Sequence, residues 1–288
     1  MKLIALCLVR NEDWILGFTA RVALEWCNSI IFYLHNCTDG TLSIVEQLEQ
    51  EFPERITHLW NNSEYWAEMD MRQSLLEQGR LMGGTHFAMI DGDEALTADM
   101  LSSIRNLSEH LQPTETLELP MRPPWRSITR YRSDKSVWCR SWMSTVFCDH
   151  PDCTWKPDKL GYQHHHRLPY GVEVRIHPIN HKDLGGNMHL QWVNWDRAKT
   201  KHAWYKMHEA IVYPNKPVET IDRMYSEAVI DDAPPTSECP EAWFYGYEKW
   251  LSKIDLAYHK SWHAEECEQM LSKYGRERFK GLNLFGVV

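Results

Sequence analysis

Short blocks of consecutive apolar residues alternate with amphipathic stretches along the first hundred positions. Residues 3–9, 29–34, 56–60 and 87–90 are such blocks, the pattern of strands buried on both faces of a parallel sheet. Between them, residues 14–26, 41–51 and the stretch in which Ala67, Met71, Leu75 and Gly79 recur every four positions predict helices with one face turned to a core. Asp39-Gly40 supplies the turn before the second helix. This alternation predicts βαβ units with every strand-to-helix loop on one edge of a Rossmann-like half. Past residue 110 the pattern changes. Residues 117–121, 137–147 and 172–176 predict strands of a mixed sheet, separated by loops at Pro123-Pro124 and around residues 151–157. Helices are expected over residues 192–212, 218–230 and 240–274, the last broken near Ser261, and Pro234-Pro235 reads as a linker. The expected fold is α/β, a mostly parallel central sheet flanked by helices. Residues 1–110 form its Rossmann-like half, 111–233 the second half of the same domain and 234–288 a helical C-terminal extension.

Composition narrows the class. A chain of 288 residues builds one large domain, or a domain with a subdomain. The apolar run at residues 3–9 is cut off by Arg10-Asn11-Glu12-Asp13, too soon for a signal segment or a membrane span, so a cytoplasmic location is expected. Eight scattered cysteines suit reduced, buried thiols better than a disulfide framework. A net charge of −9 argues against a uniformly basic nucleic-acid binder. One segment runs against that balance: Arg122, Arg126, Arg130, Arg132, Lys135 and Arg140 interleave with Trp125, Tyr131, Trp138 and Trp142. It reads either as solvated arginines over buried tryptophans or as a platform for an anionic, planar or sugar-like acceptor, nucleic acid included.

The candidate chemistry sits where strands end. Residues 85–90 run straight into Asp91-Gly92-Asp93-Glu94. Carboxylates at the carboxyl end of a strand can hold a hard divalent cation against a diphosphate, with glycine allowing close backbone approach; the same triplet also makes a plain turn. Thr97 is a candidate cap for a following helix. Arg10-Asn11-Glu12-Asp13 follows the first strand and Asn36-Cys37-Thr38-Asp39-Gly40-Thr41 the second, and each could equally be a cap or turn.

Taken in order, these three loops resemble the glycosyltransferases of the GT-A fold, family 2 in particular. The resemblance covers roughly the first hundred residues and is weak beyond them. It implies a nucleotide-sugar donor held by Arg10, Asn11, Glu12, Asn36, Asp39 and Asp91, with Asn11, Glu12 and Asp39 on the base and ribose. It also implies Mn²⁺ or Mg²⁺ on Asp91 and Asp93. Cys37 departs from the commonest pattern, where a small polar residue stands.

In the second half the resemblance implies a late histidine on the metal, for which His189 is the candidate, with His177 and His181 as alternatives. The following helix carries Lys199 and Lys201, and Lys201 is the candidate for the phosphates. An inverting transfer needs a base for the acceptor hydroxyl. Asp183 is the candidate, with Asp196 and Glu173 competing, and a retaining mechanism would need none. Cys148, Cys153 and His164-His165-His166 suggest zinc, although the spacing is irregular for a structural site; alternatively the histidines line an acceptor cleft. The expected function is metal-dependent sugar transfer to a hydroxyl, by default of a glycan. The rivals are a same-fold enzyme acting on hydroxymethylated DNA bases, a nucleotidyltransferase, for which a glycine-rich loop after the first strand is missing, and a non-catalytic carbohydrate-binding protein.

Overall fold

The computed structural model describes residues 1–156, 167–178, 185–226, 228–229, 234–257 and 261–288. Its first elements are β1 (Leu3–Val9), α1 (Leu16–Trp26), β2 (Ser29–His35), α2 (Thr41–Glu51), β3 (Ile56–Asn61), α3 (Glu68–Leu81) and β4 (His86–Asp91). Every residue of β1 is buried, as a run apolar on both faces requires. Then come β5 (Glu94–Leu96), α4 (Leu101–Glu109), β6 (Glu115–Arg122), β7 (Arg130–Arg132), α5 (Val137–Arg140), β8 (Trp142–Cys148), β9 (Val174–Ile176) and β10 (Asn187–His189). The last are α6 (Trp195–Val212), α7 (Val218–Ser226), β11 (Thr236–Glu238) and α8 (Trp262–Tyr274).

The main sheet has the order β3-β2-β1-β4-β8-β6-β10-β5, with β9 alongside β6. β3, β2, β1 and β4 are parallel, as expected. β8 runs antiparallel to both β4 and β6, β10 lies parallel to β6, and β5 lies antiparallel to β10. The fold is therefore α/β with a mixed sheet carrying helices. α3 lies very close to it: a Cβ on Gly79 would come within 2.4 Å of the buried Phe87 ring of β4. The glycine that completes the four-residue repeat of α3 is the point of closest approach.

Three expectations past residue 110 are corrected. Residues 137–147 are not one strand: Asp134 Oδ1 accepts from the Ser136 amide (3.1 Å) and hydroxyl (2.5 Å), which starts the short helix α5, and β8 begins only at Trp142. Pro234-Pro235 is not a free linker. It leads into β11, which pairs with β7, while the Pro235 carbonyl accepts from the Ser133 amide (2.8 Å). Residues 240–274 hold 3₁₀ turns at Glu241–Trp243 and Glu248–Lys253 and become helical only at α8, because Gly246 takes a left-handed conformation (φ 85°) that breaks the run. Thr97 does precede a 3₁₀ turn, but its hydroxyl accepts from the Gly186 amide (2.8 Å) instead of capping it.

The chain forms two compact units, and neither is one continuous stretch. The first comprises residues 1–122, 140–189 and 240–255; the second comprises 123–139, 190–239 and 256–288. Residues 234–288, expected as one helical extension, are thereby divided. In the first unit Tyr247 is buried edge-on to Phe18 (6.0 Å between ring centres) and donates to the Leu96 carbonyl (3.1 Å). In the second, α8 packs on α6 through Trp262 against Trp204, and the Trp204 indole donates to Glu266 (2.7 Å).

Candidate active site

From β1 the chain steps through β2 to β3 on one side, and β4 then returns to β1's other side. Between β1 and β4 the winding reverses. The loops leaving the carboxyl ends of those strands diverge there, and open α/β sheets bind ligands in the resulting crevice. Residues 10–13 and 91–94 are those two loops, and they touch. A Cβ on Gly92 would lie 3.0 Å from Glu12 Cγ, so the glycine of Asp91-Gly92-Asp93 is what lets the β4 loop approach the β1 loop.

The loops after β1 and β2 are stitched together by side chains. Asn11, buried and left-handed (φ 55°), accepts from the Thr38 amide (2.7 Å) and donates to the Thr38 hydroxyl (3.2 Å). Asparagine tolerates that backbone region because its short amide side chain bonds locally. The Glu12 amide donates to the Thr41 hydroxyl (2.8 Å), and Glu12 Oε2 accepts from the Trp14 indole (2.5 Å). Asp39 accepts from the Thr41 and Asp13 amides (2.9 and 3.2 Å), and Asp13 in return accepts from the Gly40 amide (3.0 Å). Asn36 is also left-handed (φ 45°), its amide bonded to the Asn61 carbonyl (2.7 Å). Arg10, half-buried, opens the first loop.

Two arginines that the sequence did not single out dominate the carboxylate end. Beyond Ala88 the ladder between β4 and β8 stops, and the Arg167 guanidinium fills the gap. Its Nε donates to the Ser144 carbonyl (2.9 Å) and its Nη2 to the Met89 carbonyl (2.6 Å). The same group donates to both oxygens of the fully buried Glu94 (2.9 and 2.5 Å) and to Asp91 Oδ2 (3.1 Å). Arg72 of α3, bonded to Glu68 (2.8 Å), reaches Asp91 Oδ1 (3.4 Å). Burial alone would raise the Asp91 carboxyl, but Arg167 and Arg72 outweigh it and hold Asp91 below the usual carboxylate range. Burial would lower Arg167, yet Glu94 and Asp91 push it well above the ordinary guanidinium range.

Asp93 faces elsewhere. β10 brings His189 opposite Glu94, and His189 Nε2 lies 3.4 Å from Asp93 Oδ1, both side chains largely buried. One carboxylate oxygen and one imidazole nitrogen form a two-donor corner that fits a divalent ion whose other ligands come from substrate and water. Asp91 is held differently, one of its oxygens accepting from Arg72 and the other from Arg167. Among the described residues no group of three or more His, Cys, Asp or Glu is arranged as a complete metal cage.

The remaining candidates lie on other elements. Lys201 lies on α6, in the second unit. Asp196 pairs with Lys199 (2.7 Å) in the first turn of α6, and Glu173 is exposed. Cys148 and Cys153 are buried thiols pushed up by that burial. Asp183, His181 and His164-His165-His166 lie outside the described residues. In the aromatic segment, Arg132 is 2% exposed, bonded to Asp134 (2.7 Å) and set over the Trp125 ring, and Arg126 lies 3.8 Å from the Trp195 ring centre. Arg72 left a trace in sequence, as a cation between Met71 and Leu75 on the buried face of α3. Arg167 left none.

No protein-family model and no curated protein matches the chain by sequence. In fold it is similar to S. aureus TarS 1–349 in complex with UDP-GlcNAc, at 9% identity and a TM-score of 0.45, over 97% of this chain and 88% of that one. A second S. aureus TarS structure matches at 10% identity and a TM-score of 0.43, over 79% of this chain; the chain spans 43% of that structure's length. Mannose-1-phosphate geranyltransferase from Thermus thermophilus matches at 8% identity and a TM-score of 0.35, over 51% of this chain and 58% of that one.

Proposed function

We propose that this protein is a glycosyltransferase that binds a nucleotide-sugar donor in the β1/β4 crevice and passes the sugar to an acceptor hydroxyl. The observation that carries the reading is the convergence of three polar strand-end loops, those after β1, β2 and β4, on the switch point of the sheet, with Asp91 and Asp93 at its edge. Asn11, Glu12 and Asp39 hold the loops that would meet base and ribose. Asp91, fixed by two guanidiniums, offers a rigid acceptor for ribose hydroxyls. Mn²⁺ or Mg²⁺ on Asp93 and His189 would offset the charge developing on the departing diphosphate. A glycan acceptor is favoured over DNA because, within the basic stretch at residues 122–140, Arg126 and Arg132 are engaged with tryptophans and Asp134.

The test is a thermal-shift panel of UDP-, GDP-, CMP- and dTDP-sugars with and without Mn²⁺. A donor present at 100 times its Kd stabilises the native state by about 2.7 kcal/mol. The expected result is a rise with one nucleotide class, larger with metal, that Asp93→Ala loses while still melting cooperatively. No rise with any donor removes the transferase reading and favours a carbohydrate-binding protein, and an undiminished rise in Asp93→Ala removes the metal assignment.

A further inference from the structure

A second polar cluster lies on the strands next to the crevice. Glu118 of β6 is buried (side chain 4% exposed), and none of the roles proposed above uses it. Its Oε1 accepts from the Ser144 hydroxyl of β8 (2.8 Å) and from Arg175 (3.0 Å), and its Oε2 accepts from His177 Nε2 (2.9 Å). His177, 46% exposed, stacks on Trp142 of β8 with ring centres 4.4 Å apart and planes 17° from parallel. Ser144 joins the cluster to the crevice: it bonds Glu118 with its hydroxyl, and its carbonyl accepts from Arg167, which holds Asp91. β6 stands two strands from β4, a separation of about 10 Å, the span of one sugar ring with its flanking bonds.

The carboxylate fixes the state of the ring. An ionised carboxylate can only accept, so in the neutral imidazole Nε2 carries the hydrogen and Nδ1 keeps its lone pair. Among the described residues Nδ1 has no hydrogen-bond partner. We propose that His177, oriented by Glu118, is the general base that deprotonates the acceptor hydroxyl, with Trp142 as the wall on which the acceptor docks; this rests on the transferase reading. The acceptor O–H proton passes to Nδ1 and the oxygen bonds to the anomeric carbon. The bond from that carbon to the diphosphate oxygen breaks, its electron pair leaving with the nucleoside diphosphate. Glu118 then faces an imidazolium. A buried carboxylate behind a half-exposed imidazole is the arrangement that sets tautomer and orientation in carboxylate–histidine bases generally. Among the described residues, the other charged group bonded to Glu118 is Arg175, whose side chain is 67% exposed.

The experiment uses the full chain and the donor that stabilises it in the thermal-shift panel, with water as acceptor and nucleoside diphosphate release as the readout. His177→Gln should lower turnover about 10²-fold to 10⁴-fold while keeping the donor-induced thermal shift. Glu118→Gln should move the acidic limb of the turnover–pH profile to lower pH, because the imidazolium loses its stabilising carboxylate; a merely structural Glu118 would leave that limb in place. Nitrogen-15 spectra of the histidine rings should show the Nε2–H tautomer for the signal that disappears in His177→Gln. Unchanged turnover in His177→Gln, or an Nδ1–H tautomer, overturns the base assignment while donor binding still stands, and Asp183 then becomes the candidate. Absence of any donor-induced shift in the unmodified protein overturns both readings together.

Discussion

Replacing Arg167 with methionine tests the electrostatic design of the crevice. The side chain makes five hydrogen bonds, to the Ser144 and Met89 carbonyls, both Glu94 oxygens and Asp91. Truncating one partner of a buried ion pair costs about 3–5 kcal/mol, because the other charge is left uncompensated. Glu94, with no exposed side-chain surface, bears that cost in full. Asp91, 36% exposed, adds little, since water takes over the lost contact. Glu94 retains the Asp91 amide (3.2 Å) and the Asn187 side-chain amide (3.3 Å), which sets the loss near the lower bound, about 3 kcal/mol. At about 2–4 °C per kcal/mol for a chain of this size, Tm should fall by about 6–12 °C. Thermal and urea melts of Arg167→Met, Glu94→Gln and the double variant close the cycle. The double variant should be more stable than Arg167→Met alone, because it no longer buries an unpaired carboxylate. A single-variant loss under about 1 kcal/mol, or no recovery in the double variant, refutes the reasoning.

Other outcomes follow from the same geometry. Gly79→Ala gains about 1 kcal/mol of helix propensity but forces a methyl against the rigid Phe87 ring, an overpacking cost of about 1–3 kcal/mol, so urea melts should show a net loss of up to about 2 kcal/mol; a stabilised variant would mean the ring yields. Because the folded-state pKa of Asp91 is depressed, its stabilisation is present above the unfolded-state value of about 3.9 and is lost as pH falls through the lower folded value. Asp91→Asn should therefore flatten the stability–pH curve below about pH 4, and an unchanged acid limb would show that other carboxylates govern it. Lys206, with no exposed side-chain surface, donates to Asp222 (2.8 Å), Ser226 (2.9 Å) and the Asn283 carbonyl (2.8 Å). Lys206→Met should cost about 2–3 kcal/mol, softened by the partial exposure of Asp222, and should make the C-terminal residues more sensitive to carboxypeptidase.

The first four strands were legible in sequence because their signal is local. A strand covered on both faces must be apolar at nearly every position, and such runs end where polar loop residues begin. β1 and α2 begin and end where the pattern placed them, and β2, β3 and β4 lie within one residue of it at each end. For the same reason Asn11, Asp39, Asp91 and Asp93 could be placed at strand ends. Past residue 110 local signals misled. The turn at Asp134 and the left-handed Gly246 broke elements that hydrophobic pattern alone had joined.

The apolar periodicity of the chain by itself determined that β1 to β4 alternate with helices, and so that three polar loops would share one edge of a parallel sheet. The tertiary structure alone decided what those loops meet. Arg167 reaches Asp91 across 76 positions of sequence, Asn187 reaches Glu94 across 93 and His177 reaches Glu118 across 59. Pairings of that range depend on how β8, β6 and β10 stack beside β4, and strand order is set by the burial of whole faces and the closure of long loops, which no window of neighbouring residues encodes.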